Sequence, residues 1–331
     1  MSTSTMGLAG PRGVLVLVTG GTATMGGGAD GLAVTAEGVD GLRAIVDAWS
    51  VARQVRADVV LDHPLRDSAE MGPADWTRWH RQIRAALPSV AGVVVVHGTD
   101  SMAFSGAALA LALADAPRPV VLTGAQRGPS EPGSDVADNL RLALDTVQAG
   151  RGGVSLAFAG QVRAAATLWK QSTTDLDGLA GVLGTSRRLS LYLPLGGFHG
   201  YDEDRFVALA TVSLEQWHDQ LMWSRQPSGV VLRVFGGGTA PADKVAFERL
   251  AALREAKIPV VAVSQTPAAA VDLRRYAAGR GLLEQGVVSC GCMTTEAAFA
   301  KLHYLIASGL SYEEIRSLLA VDLVGEGRTR R

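Results

Sequence analysis

The chain has 331 residues, a length for two domains with cores of their own rather than one. Apolar residues make up 47% and charged residues 19%, a globular composition without internal repeat or low-complexity segment. Lys plus Arg (31) and Asp plus Glu (32) nearly cancel, which excludes an overall electrostatic attraction to nucleic acid or to an acidic membrane surface.

Cys290 and Cys292 are separated only by Gly291, too close for an ordinary disulfide and without the partners of a zinc site. Residues 1–13 carry a single Arg and no long apolar run, and the apolar stretch 14–18 is only strand-length. These features lead us to expect a soluble, cytoplasmic protein; Arg328-Thr329-Arg330-Arg331 reads as a solvated tail.

Val14-Leu15-Val16-Leu17-Val18 is a buried strand running into Thr19-Gly20-Gly21-Thr22. Gly26-Gly27-Gly28-Ala29-Asp30-Gly31 has no apolar period and reads as a mobile loop, of the kind that serves as a lid. The glycines of 19–28 lack dinucleotide-fingerprint spacing, and the first helical period comes only at 39–49, which argues against a nucleotide-binding oxidoreductase. A strand near 55–61 leads through Pro64-Leu65-Arg66-Asp67-Ser68-Ala69 to a helix over 73–87, in which Trp76, Trp79 and Ile83 recur at core spacing.

The run Gly92-Val93-Val94-Val95-Val96 then meets His97-Gly98-Thr99-Asp100-Ser101 and a small, apolar helix over 102–114. A run of β-branched residues entering a polar turn and leaving into a helix is a parallel strand meeting its βα loop. A strand over 119–123 ends in Gly124-Ala125-Gln126-Arg127; a helix over 138–147 follows, then strands over 154–158 and 163–169. Stretch 184–227 loses this period. A second α/β unit begins at Gly229, with strands over 230–234, 259–263 and 287–289 and closing helices over 294–308 and 312–320. Thr294-Thr295-Glu296 has the pattern of a helix cap. The reading is an α/β fold of two domains. A larger N-terminal domain over 1–190 has a mostly parallel sheet with helices on both faces; a linker spans 191–226, and a smaller α/β domain covers 227–331.

In a parallel sheet the C-terminal strand ends share one edge, so Thr22, Ser68, Thr99 with Asp100, and Lys170 are placed to converge. Taken singly each has a plain reading: Thr22 a turn residue, Ser68, Thr99 or Asp100 a helix cap, Lys170 a surface charge. A Thr hydroxyl becomes a nucleophile only when a neighbour takes its proton. Burial lowers a Lys pKa and an adjacent carboxylate raises it, so these residue types leave the base unassigned.

Thr19-Gly20-Gly21-Thr22, Asp67-Ser68, His97-Gly98-Thr99-Asp100-Ser101, Gly124-Ala125 and Lys170 occur in that order. They are followed by Val271-Asp272-Leu273, Tyr276-Ala277-Ala278-Gly279-Arg280 and Met293-Thr294-Thr295-Glu296-Ala297-Ala298. This set resembles the bacterial-type L-asparaginase family, most nearly its cytoplasmic (type I) branch, from about residue 14 to 325. The resemblance implies a flavodoxin-like smaller domain and hydrolysis of L-asparagine, with Thr22 as nucleophile and Thr99, Asp100 and Lys170 as its supporting triad. It further implies that Asp67, Ser68, Ala69, Thr99 and Asp100 hold the substrate's α-groups and that the Ala125 carbonyl accepts from the amide. A homotetramer or homodimer with sites at the subunit interface is implied as well, and no cofactor, metal, nucleic acid or membrane partner.

Three positions depart from the family pattern: Leu32 where a Tyr often bonds the nucleophile, Ala69 where a polar residue often meets substrate, and Thr239 where an Asn often crosses the interface. They leave glutamine or another small amide open as substrate, and also a pocket that binds an amino acid without turnover. An amidotransferase acting on charged tRNA is expected to carry an extra N-terminal domain, whereas here the first strand starts at Val14.

Overall fold

The computed structural model describes residues 13–28, 31–187, 198–267 and 269–327. The N-terminal segment, Ala29 and Asp30, the first part of the expected linker with Tyr192, and the Arg-rich tail lie outside the described residues.

The first sheet is built from β1 (Val14–Gly20), β4 (Ala57–Arg66), β5 (Gly92–Val96), β6 (Pro119–Thr123), β7 (Gly153–Phe158) and β8 (Gln161–Ala164), in the order β4-β1-β5-β6-β7-β8. All neighbours run parallel except the last pair, a hairpin. Every residue of β5, β6 and β7 is buried, which is why these strands are continuous apolar runs. Around them pack α1 (Ala36–Arg53), α2 (Pro73–Ala86), α3 (Met102–Ala112) and α4 (Val136–Gln148). Trp76, Trp79 and Ile83 are buried in one core, as their spacing predicts.

The Gly-rich stretch read as a loop is instead an antiparallel hairpin, β2 (Met25–Gly28) on β3 (Gly31–Val34), with Leu32 opposite Gly27 and half exposed. Glycines have no side chains to alternate, so this pairing leaves no mark in the hydrophobic pattern. The strand expected over 163–169 ends at Ala164, and a short 3-10 turn precedes β9 (Trp169–Lys170), which pairs with β10 (Leu179–Ala180).

The second sheet is fully parallel, in the order β11 (Val207–Thr211), β12 (Gly229–Val234), β13 (Val260–Ser264), β14 (Val288–Ser289). β11 lies inside the stretch 191–226 read as a linker, so that stretch also supplies the sheet's edge strand; one short run of alternating small and apolar residues is too brief to mark it. Its helices are α5 (Lys244–Glu255), α6 (Ala277–Glu284), α7 (Thr295–Ala307) and α8 (Tyr312–Leu319). The Thr294 hydroxyl caps α7 by accepting from the Ala297 N–H at 3.1 Å. α7 packs against α3, and one apolar cluster continues through both helices, joining the two units.

Candidate active site

In the first sheet β1 has β4 on one side and β5 on the other, so the chain reverses its direction of growth between β1 and β5. Ligands of open α/β sheets bind outside the strand ends at such a reversal. Thr22 follows β1 and Thr99 follows β5. A hydroxyl ties these ends together, Thr19 donating to the Val96 carbonyl at 2.9 Å, and Thr123 ties β6 to β7 likewise through the Ala157 carbonyl at 2.9 Å.

The turns are in direct contact. A Cβ on Gly21 would lie 2.3 Å from the Gly98 Cα, and one on Gly98 would lie 2.6 Å from the Ser68 Oγ. Glycine is therefore required at both, and at Gly21 also by a φ of +83°. Their contact brings Thr22, Ser68 and Thr99 to one place. Ser101 strengthens it by donating its hydroxyl to the Ser68 carbonyl at 2.6 Å. Gly124 packs as tightly on the His97 carbonyl, which sets Ala125 beside the same turn.

Lys170 Nζ donates to Thr99 Oγ1 at 2.8 Å and to Asp100 Oδ1 at 2.5 Å. Thr99 is buried, whereas Asp100 is open to solvent. Neither Thr99 nor Asp100 caps the following helix: the N-cap of α3 is Ser101, with no side-chain cap bond. Lys170 is not a free surface charge either, its side chain being only 21% exposed. Ser68 is buried, and the cap of its 3-10 turn is Asp67, whose carboxylate accepts from the Ala69 N–H at 2.9 Å. Asp67 and Ala69 are both exposed.

Three supports were not legible in the sequence. Asp135 is buried and its carboxylate accepts from the N–H groups of Gln126 (3.1 Å) and Arg127 (3.0 Å) and from Asn139 Nδ2 (2.9 Å). Asn139 in turn donates to the Gly124 carbonyl at 3.0 Å, so this pair fixes the turn that carries Ala125. Beneath β4, Arg78 grips Asp62 with two bonds of 2.8 and 2.6 Å, while Trp79 donates to Asp62 at 2.7 Å and Asp75 bonds Arg66 and Arg78. Burial alone would push the Asp62 carboxyl up, but the bonds from Arg78 and Trp79 outweigh it and hold the group below the usual range. His97 is fully buried against the Trp79 ring, and burial pushes its pKa down to about 4. It is therefore neutral at pH 7 and shares a short contact of 2.6 Å with the Gly98 carbonyl.

On the side of the second sheet, a cavity of about 160 Å³ adjoins Trp169 and Lys170 and is walled by Arg233, Thr266, Cys292 and Glu296. Burial pushes the Glu296 carboxyl above its ordinary value, against hydrogen bonds that include one from Thr294. Among the described residues no group of three or more His, Cys, Asp or Glu side chains is placed to hold a metal ion, and no helix is long and apolar enough to cross a membrane.

Two family models match this chain, one for each of its α/β units. Residues 13–186 match "Asparaginase, N-terminal" and 211–319 match "Glutaminase/Asparaginase C-terminal domain". The chain belongs to the asparaginase family. It is 30% identical over 279 residues to L-asparaginase 1 of Escherichia coli K12, covering 80% of this chain and 82% of that protein. The thermostable L-asparaginase of Thermococcus kodakarensis superposes with a TM-score of 0.79 at 26% identity, over 96% of this chain and all of that one. A glutamyl-tRNA(Gln) amidotransferase subunit of Aeropyrum pernix is 29% identical over 289 residues, 78% of this chain and 66% of that protein. The family is thus shared by proteins named for different amide reactions.

Proposed function

We propose that the protein is an L-asparaginase that converts L-asparagine to L-aspartate and ammonia through an acyl-enzyme on Thr22. The observation that carries this reading is the pair of bonds from Lys170 to Thr99 and Asp100, set beside the Gly21–Gly98 contact. Thr22 Oγ attacks the side-chain carbonyl, and its proton passes to the Thr99–Lys170–Asp100 network. The tetrahedral oxyanion collapses with loss of the amide nitrogen, which takes a proton and leaves as ammonia. Water, deprotonated through the same network, then attacks the ester; aspartate departs and Thr22 regains its proton. Backbone N–H groups of the two turns are the natural donors to the oxyanion.

In this reading Asp67, Ser68 and Asp100 hold the α-carboxylate and α-amino groups, with the Ala69 and Thr99 backbone beside them, and the Ala125 carbonyl accepts from the amide. No cofactor or metal takes part. The enzyme works in the cytoplasm as a homo-oligomer, dimer or tetramer, whose sites are completed at the subunit interface. Its domains are the α/β units that surround the two sheets.

Ammonia release from L-asparagine, L-glutamine and other small amides, measured side by side, tests the reading. Release fastest from asparagine supports it. Release fastest from glutamine or another amide supports the second reading, which Leu32, Ala69 and Thr239 favour: the same chemistry with altered recognition. Binding of asparagine without release of ammonia from any amide rejects both in favour of an amino-acid-binding regulator.

A further inference from the structure

We propose that Gln126 is a positioning residue that holds Lys170 in register with Thr99, an inference that rests on the reading of Lys170 as part of the reacting centre. Gln126 stands immediately after Ala125, and its side-chain Nε2 leaves the turn after β6 to donate to two backbone carbonyls, those of Ser172 (3.2 Å) and Asp175 (3.0 Å). Both lie in the loop that begins directly after Lys170. One amide group thus ties the turn carrying Ala125 to the segment carrying Lys170.

The anchor is firm at its own end. The Gln126 N–H is gripped by both oxygens of the buried Asp135 carboxylate at 3.1 Å, and Asn139 braces that carboxylate. At the other end the chain makes room for the amide. A Cβ at position 178 would lie 2.0 Å from Gln126 Nε2, so the glutamine occupies the space that any side chain there would fill. Gly178 is not in a left-handed conformation; it is the glutamine, together with the Ser172 carbonyl 2.7 Å from that Cβ position, that excludes larger residues.

The loop also has bonds of its own that do not involve Gln126. Gln171 and Ser172 both donate their N–H to the Gly178 carbonyl, at 2.9 and 3.3 Å, and the Gln171 side chain donates to the Asp177 carbonyl at 2.8 Å. The buried Arg163 holds the far end through Asp177 at 2.7 Å. What Gln126 adds is attachment of the near end, adjacent to Lys170, to the turn that presents the substrate's amide. A displacement of Nζ by a fraction of an ångström separates a hydrogen bond to Thr99 from a mere contact, and errors of this size in a reacting group are costly.

Gln126→Met keeps length and volume and removes both donors. Its kcat for ammonia release falls about tenfold or more while KM changes less than about twofold, since substrate binding groups are untouched. The thermal midpoint stays within about 2 °C. Backbone hydrogen exchange in 171–178 quickens. Gln126→Glu supplies a second readout: a carboxylate faces two carbonyls and cannot donate, whereas its protonated form has one O–H donor. Activity of this variant relative to wild type therefore rises as pH is lowered. Wild-type kcat and exchange in Gln126→Met overturn the proposal, as does a loss of activity that only follows a fall in thermal midpoint. If the wild type releases no ammonia from any amide, the proposed function fails while exchange still decides the bridge: faster in 171–178 sustains it, unchanged overturns it.

Discussion

The Lys170 ammonium meets the Thr99 hydroxyl at 2.8 Å across 71 residues of sequence. Each group sits beyond or at the end of a strand, Thr99 in the turn after β5 and Lys170 as the last residue of the two-residue β9. A bond between strand ends that do not neighbour one another is set by the whole sheet, not by local propensity, and it selects these two side chains from several polar groups at the same edge.

Replacing Lys170 by Met preserves the aliphatic stem and deletes the charge. Loss of a positioned proton-transfer partner lowers kcat by about 10²- to 10⁴-fold. Thr99→Ala gives a loss of the same order, and the double variant is scarcely worse than either single one, because the residues act as a unit. Steady-state kinetics of all three variants check this. Additive losses would separate Thr99 from Lys170.

The ion cluster beneath β4 makes a prediction about stability rather than rate. Asp62 is 2% exposed and receives three bonds from Arg78 and Trp79. Removing Asp62 deprives the buried Trp79 N–H of its acceptor and leaves Arg78, one-third exposed, with Asp75 alone, and Asp62→Ala lowers unfolding free energy by about 1–3 kcal/mol. Urea titration reads the change. A variant as stable as wild type would show that the cluster is incidental.

The ends of β1, β5, β6, β12 and β13, and the residues that crowd the first sheet's edge, were legible in the sequence because a valine-rich run that stops at a small polar turn suits a buried strand and little else. The hairpin holding Leu32 was not, since Gly26, Gly27, Gly28 and Gly31 carry no pattern. The supports of the site were hidden for a different reason. Asp135, Asn139 and Gln126 act mainly on backbone N–H and C=O groups, which nearly every residue has, so no motif announces their partners. Lys301 reads as an ordinary helix residue, yet it is fully buried with Glu326 at 2.8 Å; only the fold brings the segment after α8 back to α7.

On acidification the buried histidines and then Glu326 withdraw stability, while Asp322, pushed up to about 6 by burial and by Glu326, opposes them. Burial pushes His80, His97 and His303 from 6.5 down to about 4, so each is neutral in the fold while the unfolded chain takes up a proton. Their contribution is complete above pH 6.5 and is lost as pH falls toward 4, at up to about 1.4 kcal/mol per pH unit for each. Below this, Glu326 enters. Burial raises its carboxyl, but the Lys301 ammonium outweighs that and holds it well under its ordinary 4.5, so its contribution is present above 4.5 and lost below. His303→Phe, which keeps an aromatic ring against Trp76 and Phe299, flattens the first step, and Glu326→Gln the second. Unfolding measured from about pH 7 to about pH 3 checks both; slopes unchanged in the variants would contradict the assignment.

The most direct measurement is ammonia release from L-asparagine by wild type and by Thr22→Ala at equal protein concentration. The wild type is predicted to release ammonia with one aspartate per ammonia, and the variant, folded to the same thermal midpoint, to lose at least about 10³-fold in kcat. A variant that turns over at the wild-type rate would contradict the account, because the nucleophile would then lie elsewhere.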